Sequence, residues 1–473
     1  MKHIFNTVVL LGLIFGTQVV KAEELQPSGT LPVMWINTAD GAEIVSKEVY
    51  LDGDYYFDAN GWEGLSSFGT KESPLPLQIR GRGNATWEAF DKKPYRIKLG
   101  KKADLMGRGK SKHFILMANT DDYYGYVRNT VGFELSRRIG LAWQPGQLPI
   151  ELMLNGKYWG LYFLTEQIRV DETRVNITEQ DDGETDPQLI TGGWLIEFDN
   201  YPNGEQIEIL DDNGKTVLFV TSHSPEVLST EQYDYIYALI DSVERNISTD
   251  DKDNREWERI IDIDSLACFY IVNEVLDNIE AFHGSCWIHK ERGPATKLIF
   301  GPVWDFGNAY NRPIDEMDFI YNQKEPRHYS SHWIDRISTF NHFQERVAFH
   351  WQRIKDADAL DIDAFVDDFL TVITPAAALD YERWHNNSEN LRRRAGAFME
   401  MFNAKVAWLD ERWSGNSGIK DLTADNSAGP VIVTDVLGRV ITTTPAGSPL
   451  PSLEPGRVYF IRQGTSCRKV IVR

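Results

Sequence analysis

The chain of 473 residues predicts an α+β protein of two lobes, β-rich first and helix-rich second, with a small all-β module at its end. Three observations carry this. Short apolar runs bounded by Gly, Pro, Asn and Asp fill the chain to about residue 200. From Ser229 to about Trp413 the apolar residues recur at helical spacing instead. After a polar stretch at 415–429, short β-branched runs return. The resulting organisation is a signal peptide at 1–22, a β-rich segment at 23–75, a main domain at 76–414, a linker at 415–429 and the β module at 430–473.

Leu31 to Ile36 reads as a strand, with Pro32 near its start, where no ladder N–H is needed. Val49-Tyr50-Leu51 and Tyr55-Tyr56-Phe57 read as two strands around Asp52-Gly53. Leu77 to Arg80, Pro94 to Leu99 and His113 to Ala118 are further strands. Val127, Val131, Leu135 and Ile139 mark a helix that Gly140 stops. Asn155-Gly156 between two apolar runs is a hairpin signal. Gly193 to Asp199 is a strand. Tyr235, Leu239 and Val243 mark a helix capped at Thr230. A second helix runs from Ile263 to about Leu276. Leu298 to Trp304 is a strand, and 340–413 is helical.

Bulk properties narrow the function. A basic start, an apolar core from Val8 to Phe15 and Val20-Lys21-Ala22 fit an export signal. No later stretch is apolar enough to span a bilayer. The net charge of −21 argues against nucleic acid and anionic membranes as partners. A phosphate site therefore needs a local basic island, and Arg80 to Lys112 is one. Three cysteines do not make a disulfide scaffold. His283-x-x-Cys286-x-x-His289 has metal-like spacing without an evident fourth ligand.

Two distant segments carry the chemistry. Arg80-Gly81-Arg82-Gly83 leads into Lys92-Lys93-Pro94-Tyr95-Arg96-Ile97-Lys98, and a glycine turn followed by a strand lysine can hold a triphosphate. Far downstream, Trp304-Asp305-Phe306-Gly307 places an aspartate after an apolar run, where it can hold Mg²⁺. Together they predict an ATP site that closes only when the chain folds back on itself.

These motifs, with Asn155 to Tyr162, Thr165-Glu166, and Asn273-Glu274 through Phe282, resemble the CotH kinase family as found in exported Bacteroidetes proteins. The resemblance spans roughly residues 30 to 410. It implies a bilobal, atypical protein-kinase-like fold and transfer of phosphate from ATP, with Mg²⁺, to protein Ser or Thr. Gly81, Arg82 and Gly83 would form the phosphate turn. Lys93 would pair with the phosphates, with Lys98 the alternative; the two point to opposite faces of a regular strand. Arg128 would contact phosphate; Glu134, on the same helix, is a candidate partner of the lysine by its position alone. Glu166 marks the expected adenine hinge or a structural ion pair. Asp305 would ligate the metal, joined by Asn308. Glu280 stands where the family places its catalytic aspartate. The chain departs from the family at that residue, at Ser285 and at Gly307, where many members carry a second acid.

The last segment resembles a type IX sorting domain through Val433 to Arg439, Leu453 to Tyr459 and Lys469 to Arg473. That implies a secreted or cell-surface protein, or a periplasmic one if the module is no sorting signal, with secretion machinery as a partner. The sequon at Asn84 falls in the phosphate turn and reads as chance. The alternative to a kinase is a catalytically impaired kinase-like binding or structural protein. Transfer of AMP and carbohydrate processing are weaker readings; no paired catalytic carboxylates can be placed for the latter.

Overall fold

The structure is a computed structural model that describes residues 25–200, 206–322, 332–414, 431–435, 440–445, 458–463 and 466–471. The α+β class is observed. Strands β1 (Val33–Thr38), β2 (Leu51–Asp58), β3 (Leu75–Gly81), β4 (Tyr95–Ala103), β5 (Ser111–Met117), β6 (Gln147–Leu154) and β7 (Lys157–Glu166) close into a barrel in the order β1-β2-β3-β4-β5-β7-β6. The parallel pairing of β1 with β6 removes the last free edge. Alternation fills the interior: Ile36, Ile79, Ile97, Leu116, Leu152 and Leu164 are fully buried. The segment 23–75 supplies β1 and β2, so it is continuous with the rest of the barrel.

Local sequence explains most of these strands, with two corrections. Asn155 and Gly156 form the β6–β7 turn, both with positive φ (49° and 75°), the geometry that Asn-Gly favours. Asp52-Gly53 is not a turn. β2 runs straight through it, because Gly53 is paired on both sides, with Thr38 and Leu77. A Cβ there would lie 2.4 Å from the Asn37 carbonyl oxygen, so the glycine serves close strand approach. The strand expected over Leu298 to Trp304 is only Ile299–Phe300.

Two helices belong to the barrel half, α1 (Ala85–Ala89) between β3 and β4, and α2 (Val127–Ile139) after β5. Gly140 ends α2 in the left-handed region, as expected. A second sheet has the order β12-β11-β8-β10-β9. Its strands are β8 (Trp194–Phe198), β9 (Ile207–Leu210), β10 (Thr216–Ser224), β11 (Cys286–Lys290) and β12 (Ile299–Phe300). The helices are α3 (Thr230–Ile247), α4 (Ile263–Val275), α5 (His332–Ile337), α6 (Asn341–Asp356), α7 (Asp363–Trp384) and α8 (Leu391–Trp413). Ser229, not Thr230, caps α3, in a capping box with Gln232. α4 is apolar all round and buried from Leu266 to Val275.

The second sheet is built inside the helix-rich half, before and after α3 and α4. A barrel and a second sheet, rather than a plain β-then-α division, therefore frame the molecule. Strands β13 (Val431–Asp435), β14 (Val440–Thr444), β15 (Val458–Gln463) and β16 (Ser466–Ile471) form a separate four-stranded sheet. The expected signal at 1–22 and linker at 415–429 lie outside the described residues. Among the described residues no helix is long and apolar enough to cross a membrane.

A buried ion pair joins the barrel to the helices. Lys92 Nζ lies 2.9 Å from Asp380 Oδ1 of α7, and both side chains are sealed from solvent. Lys92 also donates to the Leu161 carbonyl at 2.6 Å. Asp380 accepts from Leu161 N, Tyr126 Oη and Asn386 Nδ2. Burial lowers the Lys92 pKa, and Asp380 pulls it back up. Removing one partner leaves the other charged and unpaired in the interior. Asp380→Ala is therefore expected to cost about 3–5 kcal/mol in urea unfolding; a loss under about 1 kcal/mol would show that the pair is not holding the two halves together.

Candidate functional site

A cleft of about 1460 Å³ opens between the barrel and the second sheet. The β3–β4 connection, the β5–α2 connection, the segment after β7, the β8 and β10 strands and the loop after Trp304 all contribute to it. Its two sides carry opposite charge.

The basic side comes from the barrel. β4 alternates, so Tyr95, Ile97 and Leu99 fill the interior and Arg96 turns outward into the cleft. Arg80 of β3 lies directly opposite Arg96. Both have a buried Nε without a partner. Arg82 follows, with its guanidinium 5.6 Å from the Trp304 ring centre. Burial and the charge of Arg96 push Arg82 down to about 10, against the pull of Asp305, Glu197 and Asp121. Three guanidinium groups crowded into one pocket are a site that favours an anion.

Gly81 and Gly83 line the same side, but packing accounts for both. A Cβ on Gly81 would strike the Trp87 ring at 2.3 Å. Gly83 has φ +89°, and its Cβ would meet Thr86 Oγ1 at 2.5 Å. Both glycines fold the turn back over α1.

The acidic side is assembled from two loops. Asp305 has φ +58°, a left-handed conformation that Asp tolerates, and its Oδ1 accepts from Gly307 N at 3.0 Å. Asp121 comes from the β5–α2 connection. Burial, then the charges of Asp305 and Asp122, push its carboxyl up to about 6. Phe306 is buried against α2, where a Cβ on Gly132 would strike its ring at 2.2 Å. Glu280 and Asn308 line the cleft and touch, the Asn308 amide donating to the Glu280 carboxylate. The Asn308 oxygen already accepts from Asn311 Nδ2 at 2.7 Å. Ser285 also lines the cleft.

Several expected residues lie elsewhere. Lys93 precedes β4, and its ammonium donates to the Trp87 carbonyl within α1. Lys98 is exposed farther along β4, beside Gln78 and His113. Neither lysine lines the cleft. Lys93 precedes the strand, and Lys98 shares the face of Arg96 but lies beyond the part that lines the cleft, so Arg96 takes the place expected of a lysine. Glu166 is buried in an ion pair with Arg108 at 2.8 Å and accepts from Gly146 N, away from the cleft. Glu134 is held by Arg137 and Arg138 of its own helix. Arg128 donates to the Gly307 carbonyl at 2.6 Å and to Asn311 Oδ1 at 2.7 Å, so it positions the acidic loop.

Sequence reasoning passed over Arg96, Asp121 and a pair on the second sheet. His223 Nε2 lies 2.7 Å from Glu197 Oε2, and its ring stacks on Trp287 at 4.3 Å. Arg96 was visible in the basic island, and strand parity placed it opposite Tyr95 and Ile97. Glu197 and His223 carried no local signal, because β10 reaches the cleft only through sheet pairing. The His283, Cys286 and His289 spacing is no metal centre: among the described residues no cluster of three or more His, Cys, Asp or Glu is arranged to hold a metal. Cys286 is buried, and His289 Nδ1 meets the Gly301 carbonyl.

Residues 78–411 match the family model described as CotH kinase protein. No curated protein matches the chain.

Burial alone pushes His283, behind the Glu280 loop, from 6.5 down to about 4. The unfolded chain then binds more protons than the folded one between those values. Its contribution to stability is present above pH ~6.5 and is lost as pH falls toward ~4. His283→Gln is expected to flatten the fall of melting temperature over that window; an unchanged slope would refute it.

Proposed function

The chain belongs to the CotH kinase family, and from that premise we propose that it is a secreted atypical kinase. It would transfer the γ-phosphate of ATP, with Mg²⁺, to Ser or Thr hydroxyls of a protein. One observation carries this: Arg82 lies on Trp304 with Arg96 near it and the Asp305 and Asp121 carboxylates in its field. A cationic group beside paired acids, in one cleft, is what a metal-bound polyphosphate needs.

The residues fit both groups. Mg²⁺ is usually held by one or two carboxylates together with phosphate oxygens, and Asp305 supplies a carboxylate at the cleft. When bound, Mg²⁺ neutralises charge on the phosphate oxygens. Arg80, Arg82 and Arg96 would hold the phosphates, with the guanidinium fork replacing the point charge of a lysine. Ile115, Met117, Ile168 and Val170 line an apolar stretch suited to a base. The Glu280 carboxylate, steadied by Asn308, would accept the proton of the substrate hydroxyl. The export reading rests on the signal-like segment and the sorting-like motifs in the sequence.

A second reading is a nucleotide-binding protein without transfer. It is favoured by the absence of Lys93 and Lys98 from the cleft. Calorimetry with Mg²⁺-ATP tests the site. Arg96→Ala is expected to weaken binding by roughly 10–100-fold, the worth of a charged hydrogen bond, and Asp305→Ala to abolish its Mg²⁺ dependence. Lys93→Ala should leave binding nearly unchanged. No binding by the unaltered chain at millimolar ATP would sink both readings. Binding without transfer of labelled phosphate to protein would leave only the second.

A further inference from the structure

Asp121 and Asp305 belong to segments far apart in the chain, yet they meet at one glycine. A Cβ on Gly307 would lie 3.0 Å from Asp121 Oδ2 and 3.1 Å from Asp305 Oδ1. Two carboxylates brought this close repel each other, and the partial burial of Asp121 strengthens the repulsion. Such an arrangement persists only if the surrounding structure enforces it.

The enforcement is visible on both flanks. Asn129 accepts from Phe306 N at 2.9 Å and donates to Asn119 Oδ1. Arg128 donates its backbone N–H to Asp122 Oδ2 at 2.9 Å and its side chain to the Gly307 carbonyl. Two neighbouring residues of the first turn of α2 thus stitch segment 119–122 to segment 305–307. Asn278 adds a third hold, donating to the Asp305 carbonyl at 3.2 Å. Asp122 is occupied by this framework, and Asp121 is left to face the cleft. Gly307 lies outside the left-handed region, so its backbone does not require glycine. The steric requirement comes from the two carboxylates.

We infer that Asp121 is the second protein ligand of the divalent cation, paired with Asp305 across Gly307. This rests on the nucleotide reading of the cleft. The glycine then leaves room for the pair: a Cβ there would crowd both carboxylates, which would have to give by a few tenths of an ångström.

Mn²⁺ provides a direct probe, since its free form is read by electron paramagnetic resonance. The full chain is titrated with Mn²⁺ in the presence of ADP, and ADP binding is measured separately in EDTA. Asp121→Asn is expected to weaken Mn²⁺ binding by about tenfold or more, while ADP binding in EDTA is not weakened, since the change removes a negative charge beside the phosphate site. Gly307→Ala, which removes no carboxylate but crowds both, is expected to weaken it by a smaller factor, and it carries the test should Asp121→Asn fail to fold. Wild-type Mn²⁺ affinity in both variants overturns the assignment while leaving the nucleotide site intact. An unaltered chain that binds no ADP in either condition overturns the nucleotide reading, and the assignment with it.

Discussion

The contact between Lys92 and Asp380 underlies the arrangement of the whole molecule. Lys92 lies just before β4, on the connection that shapes the basic side of the cleft. Asp380 lies on α7, nearly three hundred residues later in sequence. Each is buried and charged, so neither is tolerable without the other. The surroundings are shaped around the pair. Gly160 of β7 has φ +123°, and a Cβ there would lie 2.2 Å from Asp380 Oδ1. Tyr126, at the entry to α2, donates to the same carboxylate. One carboxylate thus gathers a barrel strand, the start of α2, the turn after α7 and the β3–β4 connection.

The cleft inherits its precision from that framework. α2 begins beside Asp380, and its first turn supplies Arg128 and Asn129, which join the two acidic loops. The basic side depends on the barrel, whose closure fixes the register of β3 against β4 and so places Arg80 opposite Arg96. Arg80 and Arg96 therefore sit on strands, while Arg82, Asp121, Asp305 and Glu280 sit on loops that those elements anchor. A charge-separated cleft of this kind suits phosphate and metal together, since the cations would bind the anion and the carboxylates the ion that accompanies it.

A second buried network has a different job. Lys405 of α8 lies 2.7 Å from Glu274 and 3.0 Å from Asp277, and Arg312 also pairs with Asp277. Asp277, close in sequence to Glu280, is thereby committed to holding α8 against the loop rather than to the cleft. Two acids three residues apart have separate roles because one is enclosed by cations and the other lines the opening.

Local signals were sufficient wherever a short-range interaction decides the outcome. The Asn155-Gly156 turn, the α2 stop at Gly140, the apolar helix α4 and the placement of Asp305 at the cleft were all legible, because a turn, a cap or an apolar face depends on neighbours in sequence. Asp52-Gly53 misled for the same reason: a turn dipeptide was overridden by pairing with two strands at once. The lysines lie outside the cleft because Lys93 precedes β4 and Lys98, on the same face as Arg96, is beyond the part of the strand that lines it, a limit that the fold and not the strand pattern sets. The sequence by itself determined the α+β class, the basic island and the acidic Asp-Phe-Gly loop. Only the tertiary structure decided that the barrel closes, that the cleft lies over Arg96 rather than Lys98 and that Asp121 meets Asp305, because each depends on contacts between segments far apart in the chain, which no local pattern encodes.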